Sequence, residues 1–173
     1  MCNQHGCAGV TRSLVFDSPI ERELSGGQIH TYTISLTGNQ IARVIAEQRE
    51  IDIVVSVIAP DGVKVFEVDS PNGSNGWAGE EIATIAAQQN GLYRIEIRPV
   101  EKNARAGRYA IRLDKFLSES EYLADRLAAV GRLWGLIKYF HPYLAYKDID
   151  WDGALVGAIT SRTTVVSARE YLN

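Results

Sequence analysis

The sequence predicts a mainly β fold, a jelly-roll-like antiparallel β-sandwich followed by a short, incomplete α-helical segment. Three observations carry that prediction. From about Thr11 to Lys115 apolar residues recur with a period of two, as in strands with one buried face. Turn-forming pairs such as Gly38-Asn39 and Asn90-Gly91 cut this region into short runs, about eight strands in a sandwich reading. At Ser118 the period changes to intervals of four and three, which mark one face of a helix.

The strands follow in order. Tyr32, Ile34 and Leu36 form an apolar file that alternates with Thr31, Thr33 and Ser35. His30 is expected on the outer face of this strand, as a solvated imidazole. Ile51 to Ala59 is almost continuously apolar, as a central strand covered on both sides would be. Pro60-Asp61-Gly62 turns the chain, and Val63 to Val68 returns. Asp69 to Gly79 is a loop rich in Gly, Ser and Asn, and Glu81 to Ala86 re-enters the sheet. In the next strand Tyr93, Ile95 and Ile97 face inward while Arg94, Glu96 and Arg98 face water. The same phrase returns as Gly107-Arg108-Tyr109-Ala110-Ile111-Arg112-Leu113. Pro99 and Lys102 to Ala106 lie between the two and read as a hairpin loop, which predicts that these strands pair.

The helical part opens on Ser118-x-x-Glu121, the spacing of a capping box. Leu123, Leu127, Val130, Trp134 and Ile137 lie in file, and His141-Pro142 ends the helix. A second helix starts near Trp151, with Leu155 and Ile159 on its face. Ser167-x-x-Glu170 opens a third, and the chain stops three residues later, which reads as a truncation. The expected organisation is a flexible tail at 1–10, a sandwich at 11–116 and a truncated helical segment at 118–173.

Composition narrows the function classes. At 173 residues, 46% hydrophobic and 23% charged, the chain can bury an ordinary core. The net charge is −3 and the basic residues are dispersed, so no nucleic-acid partner is expected. No run of about 18 apolar residues occurs, so no transmembrane segment is expected. Met1 to Gly9 has no apolar h-region and no signal peptide is visible, so either the protein is cytosolic or a leader has been trimmed.

No residue earns a catalytic, cofactor-binding or metal-binding assignment. Cys2, His5 and Cys7 fall short of the four ligands of a structural zinc site, and no second cysteine pair exists. They read as part of a flexible tail, with a Cys2–Cys7 disulfide under oxidising conditions. Asp148-Ile149-Asp150-Trp151-Asp152-Gly153 opens like a calcium-binding EF-hand loop, but Ile159 stands where the bidentate Glu belongs. The plainer reading has Asp150 capping the second helix and Asp152 in its first turn. Ser74 lies in a loop between strands and not at a strand-to-helix elbow. His141, between an aromatic pair and a proline, reads as a packing residue at a helix end.

Two resemblances add to this reading. Ile51-Asp52 entering an apolar strand, the Ala59-Pro60-Asp61-Gly62 turn, Glu80-Glu81 and the two Gly-x-Tyr strands resemble the bacterial pre-peptidase C-terminal type of β-sandwich. This likeness spans about Ile20 to Asp114. Arg132-Leu133-Trp134-Gly135-Leu136-Ile137-Lys138-Tyr139-Phe140-His141-Pro142, followed by Asp148-Ile149-Asp150-Trp151-Asp152, is similar to the N-terminal helical region of tail-specific (C-terminal-processing) serine peptidases. In that family a serine activated by a lysine lies far downstream, and Lys138 does not match it. The resemblance implies a periplasmic or extracellular serine peptidase whose peptidase module, absent here, would be the partner of this chain. The parent would cut polypeptide substrates in unstructured segments, while the chain itself would be inactive, and the exposed helix face invites self-association. The rival is a stand-alone binding module for carbohydrate or protein, with helices capping the sandwich.

Overall fold

The structure, a computed structural model, describes residues 11–70, 79–140, 149–157 and 159–160. It divides into two compact units, one ending at Ser118 and the other beginning at Glu119. The first unit contains β1 (Arg12–Ser13), β2 (Ile20–Leu24), β3 (His30–Leu36), β4 (Ile41–Gln48), β5 (Ile53–Ile58), β6 (Lys64–Val68), β7 (Gly79–Ala86), β8 (Gly91–Pro99) and β9 (Gly107–Leu117). One sheet has the order β1-β3-β8-β5-β6 and the other β2-β9-β4-β7.

The pairing explains this order. β2 pairs with β9, β3 with β8, β4 with β7 and β5 with β6, all antiparallel. The sandwich is thus one long ribbon folded at its tip and wrapped on itself, which is the jelly roll. Pro60-Asp61-Gly62 forms the tip. Gly62 N donates to Ala59 O at 2.9 Å, Asp61 Oδ1 accepts from Val63 N at 2.9 Å, and Gly62 takes a φ of 88°. That φ suits glycine, which has no Cβ to clash. β1 departs from the antiparallel rule by pairing in parallel with β3.

The core lies between the sheets. Leu24, Leu36, Ile53, Val55, Val57, Ile95, Ile97 and Ile111 are all buried there. Each contributes about 2 kcal/mol through the area it removes from water. β5 is buried along its whole length, as the continuous apolar run predicts.

Two expectations change. β8 and β9 do not pair, because they belong to opposite sheets and the segment between them crosses from one to the other. Tyr93 and Tyr109 both face inward, and alternation alone does not say which sheet a strand joins. The crossing is held by Val100 N donating to Asp52 O at 3.1 Å and by Gly26 N donating to Ala104 O at 2.9 Å. A side chain at Gly26 would collide with the backbone of Lys102 to Ala104. The sequence reading also names no strand at 41–48, yet β4 pairs with both β7 and β9. Ala42, Val44 and Ala46 line the core while Ile41 and Ile45 are buried on the other face, so no alternation is visible.

In the second unit α1 spans Glu119–Phe140, and residues 151–157 form a further helical stretch. Glu119 and Glu121 in the first turn and Lys138 in the last complement the helix dipole. No residue of α1 is buried. The two helical stretches are joined by a reciprocal clasp. Trp134 Nε1 donates to Trp151 O at 3.1 Å, and Trp151 Nε1 donates to Trp134 O at 3.2 Å.

Candidate functional site

Two polar clusters in the sandwich are candidates for function, one inside and one outside. The inner cluster joins the sheets. Tyr32 on β3 and Tyr109 on β9 are fully buried, and their hydroxyls meet at 2.5 Å. His30 Nδ1 lies 2.7 Å from the Tyr109 hydroxyl. One donor order satisfies all three groups: Tyr32 donates to Tyr109, and Tyr109 donates to His30. His30 is therefore not the solvated imidazole expected, being only 7% exposed. The parity was available in the sequence, since His30 falls in the inward file of Tyr32 and Ile34. Burial, reinforced by the charges of Arg22 and Arg12, lowers the His30 pKa to about 4. Its ring is neutral at pH 7. Burial likewise pushes the Tyr109 phenol well above its ordinary range, and the bond to Tyr32 adds to the effect.

The outer cluster lies on the far face of the other strands of that sheet. Ile29, Ser56, Ile58, Lys64, Glu67, Glu96 and Arg98 line a shallow trough of about 320 Å³. Glu67 on β6 accepts from Ser56 Oγ at 2.7 Å, from Lys64 Nζ at 2.9 Å and from Arg98 Nη2 at 3.0 Å. Because Arg98 stands on β8, the ion pair bridges over β5. The Lys64 and Ser56 hydrogen bonds hold the Glu67 carboxyl down to about 2, outweighing its partial desolvation. Ser56 is not set up as a nucleophile here. Its hydroxyl donates to a carboxylate, and the Lys64 ammonium is committed to the same oxygen, so no neutral base faces the serine.

The sequence candidates fall in different places. Cys2, His5, Cys7, Ser74, His141 and Asp148 lie outside the described residues. Asp150 Oδ1 accepts from Gly153 N at 2.8 Å, the geometry of an N-cap. Asp152 accepts from Lys138 Nζ at 2.7 and 2.9 Å. These two carboxylates are therefore engaged in capping and ion pairing. Lys138 also lies 4.6 Å from the centre of the Trp134 ring, a cation–π contact. Among the described residues no group of three or more His, Cys, Asp or Glu side chains is placed to hold a metal. The sequence reading missed a buried carboxylate: Glu81, 1% exposed, accepts from Gln48 Nε2 at 2.8 Å and from Ser70 N at 2.9 Å. Its place in the inward file with Ala83 and Ile85 was the signal.

No protein-family model matches the chain, and no curated protein matches it significantly. Among solved structures, the pre-peptidase C-terminal domain of a collagenase from Bacillus anthracis aligns with a TM-score of 0.50 at 13% identity. The alignment covers 64% of this chain and 100% of that domain. A periplasmic inhibitor of g-type lysozyme from Salmonella Typhimurium aligns at 0.44 and 17% identity, over 63% of this chain and 100% of the inhibitor. The CspB protease of Clostridium perfringens aligns at 0.39 and 15% identity, over 58% of this chain and 27% of the protease. The first of these likenesses establishes a shared β-sandwich fold. No helix among the described residues is long and apolar enough to cross a membrane.

Proposed function

We propose that this chain is a non-catalytic, accessory portion of a periplasmic or extracellular serine peptidase of the tail-specific type. The sandwich would recruit polypeptide and the helical segment would dock on the peptidase module. The observation that carries this reading is the sandwich itself, whose fold is shared along the whole length of a collagenase's pre-peptidase C-terminal domain. The Arg132 to Pro142 motif supports the second half. Trp134 and Lys138 of that motif build the clasp with Trp151 and Asp152, which supports a role in organising the helical unit.

The outer trough favours polypeptide over carbohydrate as the recruited ligand. It offers paired charges and the apolar Ile29 and Ile58, and no aromatic ring lines it. Sugars are commonly held on flat aromatic faces, whereas an extended peptide is held by hydrogen bonds and apolar contact. The test uses the full chain and a fluorescent, unstructured casein. Binding is expected without cleavage, and Arg98→Ala together with Glu67→Gln should weaken it about tenfold. Cleavage lost on mutating a serine of this chain would overturn the accessory role. Binding to polysaccharide but not to casein would favour the stand-alone module.

A further inference from the structure

Two arginines of the sandwich stand at inward register positions. Arg22 lies between Ile20 and Leu24 in the inward file of β2, in register with Tyr109. Arg12 on β1 is in register with Tyr32. Register partners share a sheet face, so both side chains start from the inner face, one from each sheet. β1 and β2 are edge strands of their sheets, so the two arginines stand at the mouth between those edges, on strands next to the linked Tyr32 and Tyr109. Both lie near enough to His30 for their charges to act on it. Arg22 Nη1 is buried and has no hydrogen-bond partner. Among the described residues no carboxylate pairs with either arginine, although the outward-facing Arg49, Arg94, Arg98, Arg108 and Arg112 all have acidic partners.

A guanidinium with a buried, unmet donor is costly, and an anion that supplies the acceptor offsets the cost. We propose that the mouth between β1 and β2 is a binding site for a small oxyanion, held by Arg22 and Arg12 above the buried imidazole of His30. A carboxylate or a phosphate fits this chemistry, because a guanidinium fork presents two parallel donors to two oxygens. His30 would couple the site to pH. A bound anion favours the imidazolium, so the anion should bind more tightly as pH falls.

The experiment follows the His30 ring resonances of the full chain by NMR while inorganic phosphate or acetate is added at constant ionic strength, with chloride as the baseline. A saturable shift is expected, larger than any produced by chloride. For phosphate, which stays anionic while His30 titrates, affinity should tighten as pH falls, by up to about tenfold for each pKa unit the anion adds to His30. Arg22→Gln should weaken binding about tenfold or more, and Arg12→Gln should weaken it less, from its more exposed position. If Arg22→Gln does not fold, Arg12→Gln and the unmodified chain still decide the matter. Saturation by phosphate but not acetate would identify a phosphate site, and the reverse a carboxylate site. Shifts that are linear, equal in chloride, or unchanged by either substitution would mean that water satisfies Arg22, and the proposal would fall.

Discussion

His30 holds a neutral ring in a place where the unfolded chain would carry a proton near pH 6.5, and the difference is a contribution to stability. The folded pKa is lowered from 6.5 to about 4, so the folded state resists protonation that the unfolded state accepts. The contribution is fully present above pH 6.5 and fades as pH falls toward 4. Its upper bound is about 3 kcal/mol. Urea unfolding of the unmodified chain at pH 7 and pH 5 should show this loss, and His30→Gln should lose less over the same interval. Equal losses would mean that the ring is not the group responsible. Much at this scale was legible: Asp150 as a cap follows from residue type and spacing alone. The inner cluster was not, because it depends on Tyr32 and Tyr109 meeting across two sheets, and no local pattern encodes a contact between residues so far apart in sequence.

The strands of the sandwich were readable wherever one face is wet and the other dry, as in β3, β7, β8 and β9. β4 escaped because both of its faces are buried, and β2 because an arginine occupies its central inward position. Sheet membership was beyond reach for a related reason, since Tyr93 and Tyr109 sit in identical local phrases on opposite sheets. The helical unit raises a separate question. Leu133 and Leu136 are each 58% exposed and Phe140 78% exposed, and together with Leu123 and Leu127 they leave apolar side chains in water over a wide arc of the helix. Large apolar patches left in water commonly mark interaction surfaces. Comparing residues 11–118 with the full chain tests both units at once. The shorter piece should unfold in one cooperative thermal transition and stay monomeric, and the full chain should bind apolar dye or self-associate. A dye-silent, monomeric full chain would mean that the helices complete a core of their own, and an unfolded 11–118 would move the boundary.

For the molecule as a whole, the ribbon decides how the sandwich would respond to being pulled. Ile20 at the start of β2 faces Ile111, and Leu24 at its end faces Gly107. The chain therefore enters β2 and leaves β9 at the same end of one antiparallel pair. Phe16, bridged to Leu113, lies beside that exit. Tension applied through residues 11 and 118 would first draw out β1, whose hold on the sandwich is the short pairing with β3, Leu14 in the core and a 2.8 Å bond from Leu14 N to Thr33 O. It would then part β2 from β9 one pair at a time, where a sheared sheet would have to break all its bonds together. A domain loaded in this way yields to small forces and re-closes from its tip once released. Single-molecule stretching should record a low, stepped unfolding force, and one high peak would show that the load is carried across the sheet instead.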